Sequence, residues 1–348
     1  MQIETFIDEV LFKQPLRIAG RTLTGQSVLR IAVHDGPHVA HAEAAGVFYR
    51  GDSGASMRRE IEALLPDLPA DLLGVWGTVR RMAPGGARNA LDWACWQLAA
   101  AARGEPTYRQ AFLARVRPLV TMVTLGVAEP QQMAQAALAL PSARALKLKL
   151  DGGDQDAARV IAVRKVRPDV RLSIDANEGW SLEHLDRMMA VLVDNGVELI
   201  EQPLPANADS ALERMRAPIP LAADESLQTM ADLDRVQARY QVANIKLDKC
   251  GGLSEALALA AEARRRGLRV MIGCMGGRSM ALLPAFIAAQ GADLVDLDAP
   301  LFMASDTTPA ALYHGGCISY AESAFSPMLS AAAAPYSASP APVPHAVA

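Results

Sequence analysis

A chain of 348 residues, 51% of them hydrophobic and 21% charged, is long enough for a barrel-sized domain with a smaller second one. A formal net charge of −4 gives no electrostatic case for binding nucleic acid or an anionic membrane. Four cysteines and six histidines form no CxxC, HExxH or Cys/His zinc spacing, which suits buried or incidental thiols in a reducing cytoplasm.

In chain order, Met1 to Glu9 is acidic and lacks the basic n-region of a signal peptide. Residues 1–12 and 25–45 hold β-like runs, with a polar loop expected over Arg17 to Thr24 between them. A second loop, Phe48 to Gly54, precedes a helical stretch around Met57 to Leu65. Gly85 to Ala99 reads as an Ala-rich helix with Leu91, Cys95 and Leu98 on one stripe, stopped by Gly104. Strands followed by helices suggest a separate α+β lobe over residues 1–113.

From Pro118 the pattern becomes strand–helix alternation. Leu119 to Leu125 is the first expected strand of a parallel barrel, and Ala145 to Leu150 the second. The second alternates leucines with Lys147 and Lys149, which puts both ammonium groups on one strand face. The next strands end in Asp175, Glu201, Asp224 and Lys246, at successive intervals of 26, 26, 23 and 22 residues from Lys149. Each interval fits one strand, one loop and one helix. Leu268 to Ile272 is the seventh strand, opening into Gly273-Cys-Met-Gly-Gly-Arg-Ser279, and Asp293 to Asp298 is the eighth. The barrel spans 114–300, and 301–330 carries no eighth helix and is expected to return to the first lobe. The Ala/Pro/Ser-rich tail, 331–348, is expected to be disordered. The most apolar short stretch, Met280 to Ala289, contains Pro284 and is too short to cross a bilayer, so no membrane association is expected.

Residues at the carboxyl ends of barrel strands are where catalytic groups gather. Strands two and six of eight are diametrically opposite, so Lys149 and Lys246 should face each other across the mouth. Asp175, Glu201 and Asp224 fill the arc between them. Three acids with no His or Cys among them suit Mg²⁺ or Mn²⁺ far better than zinc. A divalent cation beside two opposed lysines is a device for removing and replacing a proton α to a carboxylate; a Lys base with Mg²⁺ is a general pattern of enolase-type sites. Lys147 supports Lys149 electrostatically, because a neighbouring cation favours the neutral amine that a base must be. Bases on opposite faces would invert a stereocentre.

Lys147-Leu-Lys149, Asp175-Ala-Asn177, Glu201-Gln-Pro203, Asp224-Glu-Ser226 and Asn244 to Gly252 resemble the enolase superfamily, muconate-lactonizing subgroup. Ala87-Arg-Asn-Ala-Leu-Asp92 resembles its capping lobe. Within the subgroup the likeness is to dipeptide epimerases of the L-Ala-D/L-Glu type. It implies a modified TIM barrel, (β/α)₇β, with an α+β N-terminal capping domain, and an isomerase linked to peptidoglycan peptide metabolism. It also allows a homo-oligomer.

The pointer to dipeptides is Asp296-Leu-Asp298, which resembles the Asp-x-Asp that holds a substrate ammonium group. A dipeptide would then reach the metal with its carboxylate and strand eight with its ammonium. By the same likeness Arg21 would meet a glutamate side chain, with Arg17 as its rival. Asn177 and Met275 join the substrate-binding candidates. Gly276-Gly277-Arg278 departs from the family pattern, which leaves the preferred side chains open. The alternatives are an N-acylamino acid racemase, a cycloisomerase or an o-succinylbenzoate synthase-like lyase. A non-catalytic binding protein would not need both lysines.

Overall fold

The computed structural model describes residues 1–18, 21–329 and 339–340. The expected disordered tail lies outside them, apart from Ser339–Pro340.

An N-terminal lobe opens with a long hairpin, β1 (Gln2–Ile18) and β2 (Arg21–Asp35), followed by β3 (His38–Ala44). The expected loop over residues 17–24 is instead the far end of this hairpin, with Leu16 opposite Leu23, Arg17 opposite Thr22 and Ile18 opposite Arg21. Alternation of apolar and polar residues on both arms lets the ladder continue through a stretch that looks polar on average. Between Leu11 and Leu16 the register shifts. There β1 turns to the barrel: Lys13 N–H donates to Phe302 O and Ala304 N–H to Leu11 O, both at 2.8 Å. Helices α1 (Gly54–Leu64), α2 (Leu72–Val79) and α3 (Gly86–Arg103) complete the lobe. Ser53 and Ser56 form a capping box on α1, and Gly104 ends α3 in the left-handed conformation.

The barrel begins inside the expected first strand, at Met122 and not at Leu119. Leu119 to Leu125 splits into β4 (Leu119–Val120), which pairs elsewhere, and β5 (Met122–Leu125). Then follow α4 (Pro130–Leu138), β6 (Ala145–Lys149), α5 (Asp156–Val166), β7 (Arg171–Asp175), α6 (Leu182–Asp194) and β8 (Val197–Glu201). A 3₁₀ segment, Asp209–Arg214, leads to β9 (Leu221–Ala223), and α7 (Leu233–Arg239) to β10 (Val242–Lys246). Short α8 (Leu247–Cys250) and α9 (Leu253–Arg265) precede β11 (Arg269–Gly273), α10 (Ser279–Ala289) and β12 (Leu294–Asp296).

Strands β5 to β12 form one parallel sheet in sequence order. The seam between its ends is closed by side chains: Leu297 N–H donates to Thr121 Oγ1 (2.9 Å) and Thr124 N–H to the Asp298 carboxylate (2.6 Å). Alternate residues share a face, so each strand stacks an apolar floor under a polar mouth. Met122, Ala145, Leu199, Ala222, Val242, Met271 and Leu294 pack together as that floor. Two residues on stand Thr124, Lys147, Glu201, Asp224, Asn244, Gly273 and Asp296. The interleaved residues, such as Leu146, Leu148, Ile200, Ile245 and Ile272, join the main core.

After β12 no α-helix follows among the described residues. β13 (Ser305–Asp306) pairs with β17 (Ser339–Pro340), and β14 (Leu312–His314) and β15 (Cys317–Ser319) form a small sheet with β4. The stretch meets the N-terminal sheet at both ends: Phe302 and Ala304 bond β1, and β16 (Met328–Leu329) pairs with β3. Among the described residues no helix is long and apolar enough to cross a membrane.

Candidate active site

Asp175 and Glu201 end their strands and Asp224 follows β9 directly, so three carboxylates converge at the mouth. All three are buried, and one ligand oxygen from each lies within 4.8 Å of the others. Glu201 Oε1 accepts from Asn244 Nδ2 at 2.7 Å, but its Oε2 has no hydrogen-bond partner. A buried carboxylate oxygen left bare in this way fits a hard cation that takes oxygen ligands. Burial, then Asp175, push Glu201 up to about 7. Burial acts the same way on Asp224 and Asp175. There the lysines prevail: Lys246 and Lys249 hold the first well below the usual carboxylate range, and Lys149 and Lys147 lower the second.

Lys149 on β6 and Lys246 on β10 stand four places apart in the sheet order and line one cavity of ≈ 300 Å³. Lys149 Nζ donates to Asp175 Oδ2 (2.5 Å) and Asn177 Oδ1 (2.9 Å); Lys246 Nζ donates to Asp224 Oδ2 (2.6 Å). Lys147 is committed elsewhere. It bonds Asp296 and lies 3.5 Å from Glu201 and 3.7 Å from Asp175, so its charge is offset before it reaches Lys149. Burial disfavours the charge on Lys147 and on Lys246. The surrounding carboxylates outweigh it, Asp296 first for Lys147 and Asp224 first for Lys246, and hold both well above the usual lysine range.

Asp296 ends β12, whereas Asp298 lies beyond the strand, which stops two residues earlier than expected. Both still line the cavity. Asp296 Oδ1 is buried without a hydrogen-bond partner. Burial and the neighbouring Asp296 push Asp298 up to about 6. Asn177 and Met275 line the same cavity. Arg21 is placed by its backbone opposite Ile18, and its side chain lies outside the description. Arg17 is exposed and does not line the cavity. The upper walls are apolar, with Leu16 and Leu23 paired across the hairpin and Phe48, Tyr49, Phe302 and Met303 around them.

Several supporting residues carry no separate sequence signal. Lys249, one helical turn after Lys246, donates to Asp224 O, Asp224 Oδ1 and Asn244 O at 2.6, 2.6 and 3.1 Å. All three of its donors are used, which makes it a clamp on Asp224. Gln202, at φ 34°, accepts from Asp224 N–H and Ser226 N–H, each at 3.0 Å. The Ala87–Asp92 segment grips the two helices that follow Lys246: Asn89 Nδ2 donates to Asp248 Oδ1 on α8 (3.2 Å), and Asp92 accepts Ser254 N–H on α9 (2.9 Å). Glu225, beside Asp224, was legible only as part of a motif; burial, then Asp224 and Asp175, push it up to about 8.

Residues 129–322 match the family model described as enolase C-terminal domain-like. The chain is 40% identical to the L-Ala-D/L-Glu epimerase of Escherichia coli over 76% of its own length and 83% of that protein's. It is 38% identical to the N-acetyl-D-glutamate racemase of a Pseudoalteromonas species over 77% of this chain and 80% of that one. Among solved structures, an enolase family member from Agrobacterium tumefaciens with homology to dipeptide epimerases, holding sodium and L-Ala-L-Glu, superposes with a TM-score of 0.88. It is 35% identical, covering 93% of this chain and 99% of that one. The dipeptide epimerase of Methylococcus capsulatus, complexed with Mg and L-Arg-D-Lys, gives 0.85 at 26% identity, over 94% and 97% of the two chains.

Proposed function

The chain belongs to the enolase C-terminal domain-like family, and from that membership we propose that it is a dipeptide epimerase, inverting the α-carbon of the C-terminal residue of an L-Ala-X dipeptide such as L-Ala-D/L-Glu. The observation that carries this reading is a cavity with acids in two places, of which one set is able to hold a cation. Asp224 of the carboxylate triad, where a bound cation would meet a carboxylate, and Asp296, whose Oδ1 has no hydrogen-bond partner, both line it. A dipeptide has a carboxylate at one end and an ammonium group at the other, and spans the two.

Asp175, Glu201 and Asp224 would hold Mg²⁺, or Mn²⁺ in its place; the donor set is all oxygen and leaves Glu201 Oε2 free to ligate. When bound, the cation offsets the negative charge that a substrate carboxylate gains as its α-proton leaves. The rest falls to the chain's own groups. Lys149 and Lys246 approach the α-carbon from opposite sides; one takes the proton and the other delivers one to the opposite face, so configuration inverts. Asp296 and Asp298 accept from the substrate ammonium group in charge-assisted bonds. Lys147 holds Asp296 in place from behind. The apolar roof keeps water from the lysines and strengthens the electrostatics beneath it.

An N-acyl amino acid would bring no ammonium group to Asp298 or to the Asp296 Oδ1 that Lys147 leaves unbonded. The likeness to the N-acetyl-D-glutamate racemase makes that reading the one to exclude. The experiment is incubation with Mg²⁺ in D₂O of free and N-acetylated forms of one dipeptide, read by mass for α-deuterium. The epimerase reading expects deuterium in the free dipeptide and little in the acetylated one. Equal incorporation would transfer the assignment to N-acylamino acid racemase.

A further inference from the structure

The amide of Asn177 stands between Lys149 and Glu225. Its Oδ1 accepts from Lys149 Nζ at 2.9 Å, and its Nδ2 donates to Glu225 Oε1 at 3.3 Å. The other acceptor for Lys149 is Asp175 Oδ2. A neutral amine offers two N–H donors and one lone pair. With both donors directed to Asp175 and Asn177, the lone pair is left along the remaining tetrahedral direction, on a side chain that lines the cavity.

That aim depends on which end of the Asn177 amide faces the lysine. Turned over, Nδ2 would point at Lys149 and compete for the lone pair. Glu225 removes the ambiguity. Its Oε1 is an acceptor whether the carboxyl is ionised or carries a proton on Oε2, which has no partner of its own. The amide nitrogen therefore goes to Glu225, and its oxygen to Lys149. The backbone beneath is fixed as well: Asn177 sits at φ 42°, a left-handed conformation that asparagine tolerates, with its N–H on Asp175 Oδ1 at 2.9 Å.

On the epimerase reading above, we propose that Asn177 and Glu225 are positioning residues that aim the Lys149 amine at one face of the substrate α-carbon. Neither residue is hydrogen-bonded to Lys246, whose partner is Asp224; the charge of Glu225 does reach Lys246, but the Met and Gln variants below remove it alike. The consequence is one-sided. Disturbing the pair should slow proton removal from one epimer and spare the other.

The test follows α-deuteration of L-Ala-L-Glu and L-Ala-D-Glu separately, in D₂O with Mg²⁺. Lys149→Ala first identifies the epimer that depends on Lys149. Glu225→Met keeps the side-chain length and removes the acceptor; Glu225→Gln keeps an amide oxygen that can still accept from Asn177. In Glu225→Met, exchange of the Lys149-dependent epimer should fall about 10–100-fold, the cost of a misaimed group, with the other epimer within about twofold. Mg²⁺ affinity by calorimetry should be unchanged, and Glu225→Gln should recover most of the loss. Equal losses on both epimers would overturn the proposal, as would a Gln variant no better than Met. A drop in Mg²⁺ affinity would assign Glu225 to the carboxylate triad instead. If Glu225→Met does not fold, Asn177→Ala reads the same split between epimers. A wild type that exchanges neither these nor any other L-Ala-X dipeptide would overturn the epimerase reading itself, an outcome separate from a wild type that exchanges both epimers and variants that lose them equally.

Discussion

The backbone N–H of Thr124 donates to the carboxylate of Asp298 at 2.6 Å, so one acid both closes the barrel seam and faces the cavity. The two tasks separate by mutation. Asp298→Asn keeps an oxygen for Thr124 and loses the charge, so thermal stability should hold. The substrate ammonium would lose a charge-assisted partner worth about 1.5–3 kcal/mol, roughly 10–150-fold in kcat/KM for a free dipeptide. Asp298→Ala should show the same kinetic loss and, in addition, a stability loss of about 1–3 kcal/mol from the bared N–H in urea titration. If Asp298→Asn destabilises as much as Asp298→Ala, the seam depends on charge and not on acceptance.

The opposed lysines should part by stereochemistry. Lys149→Ala and Lys246→Ala should each abolish epimerisation while leaving α-proton exchange in one epimer, a different one for each variant. The measurement is NMR of each epimer in D₂O. Exchange of the same epimer by both variants would rule out bases on opposite faces.

Metal removal gives a third prediction, with a pH dependence. Chelation should abolish turnover, and Mg²⁺ or Mn²⁺ should restore it. Glu201 binds a cation as the carboxylate, and without one its pKa is pushed up to about 7. Below that pH a proton competes with the cation, so Mg²⁺ affinity should rise with pH through about 7 and level off above it. Titration calorimetry at several pH values checks the slope. Glu201→Gln should weaken binding by about 10–100-fold or more, a range reached even by outer-sphere changes.

Gly273 makes room for Lys246. A Cβ there would meet Asn244 Oδ1 at 2.8 Å and Lys246 Cε at 3.1 Å. Gly273→Ala should therefore displace the lysine, lowering kcat by about tenfold or more with a smaller change in KM. Steady-state kinetics with the Mg²⁺ affinity as control reads this directly.

The join between the lobes should be as sensitive as the site. Glu43 on β3 accepts from Arg278 N–H at 2.7 Å and from its Nε at 2.8 Å, and both residues are buried. Removing the carboxylate by Glu43→Ala leaves a buried guanidinium short of its partner, a change costing about 3–5 kcal/mol. Chemical denaturation should show it. A loss under about 1 kcal/mol would mean that Asp8, the other acid on Arg278, suffices alone.

The lysines and acids of the barrel are legible because each strand places its charge by a period of two and its neighbour by one βα unit. Lys147 and Lys149 differ in what the sequence cannot give. Equal in pattern, one is tied to three acids and the other is aimed at the cavity, a difference set by residues on other strands. The hairpin tip is misread as loop because Arg17, Thr22 and Thr24 lower its average hydropathy, while Leu16 and Leu23, which pair and line the cavity, show only through alternation. Asp298 fails the strand rule and still reaches the site, since its side chain closes the seam instead of following the pleat. Gly273 and Glu225 stand within segments the sequence singles out, but their close approach to Lys246 and Asn177 depends on residues of other strands.

The pairing of Leu11 and Lys13 with Phe302 and Ala304 bears on how the protein is made. These partners lie about 290 residues apart in the chain, so the first waits for the second during synthesis. At about 5–20 residues per second, ~15–60 s separate them. β3 waits longer still for Met328–Leu329. Until then the hairpin has an open edge, the kind that pairs with whatever strand is nearby. A nascent chain can hold every lysine and acid of the barrel and still lack a roof, so catalysis should begin only after Met328 and Leu329 have been made.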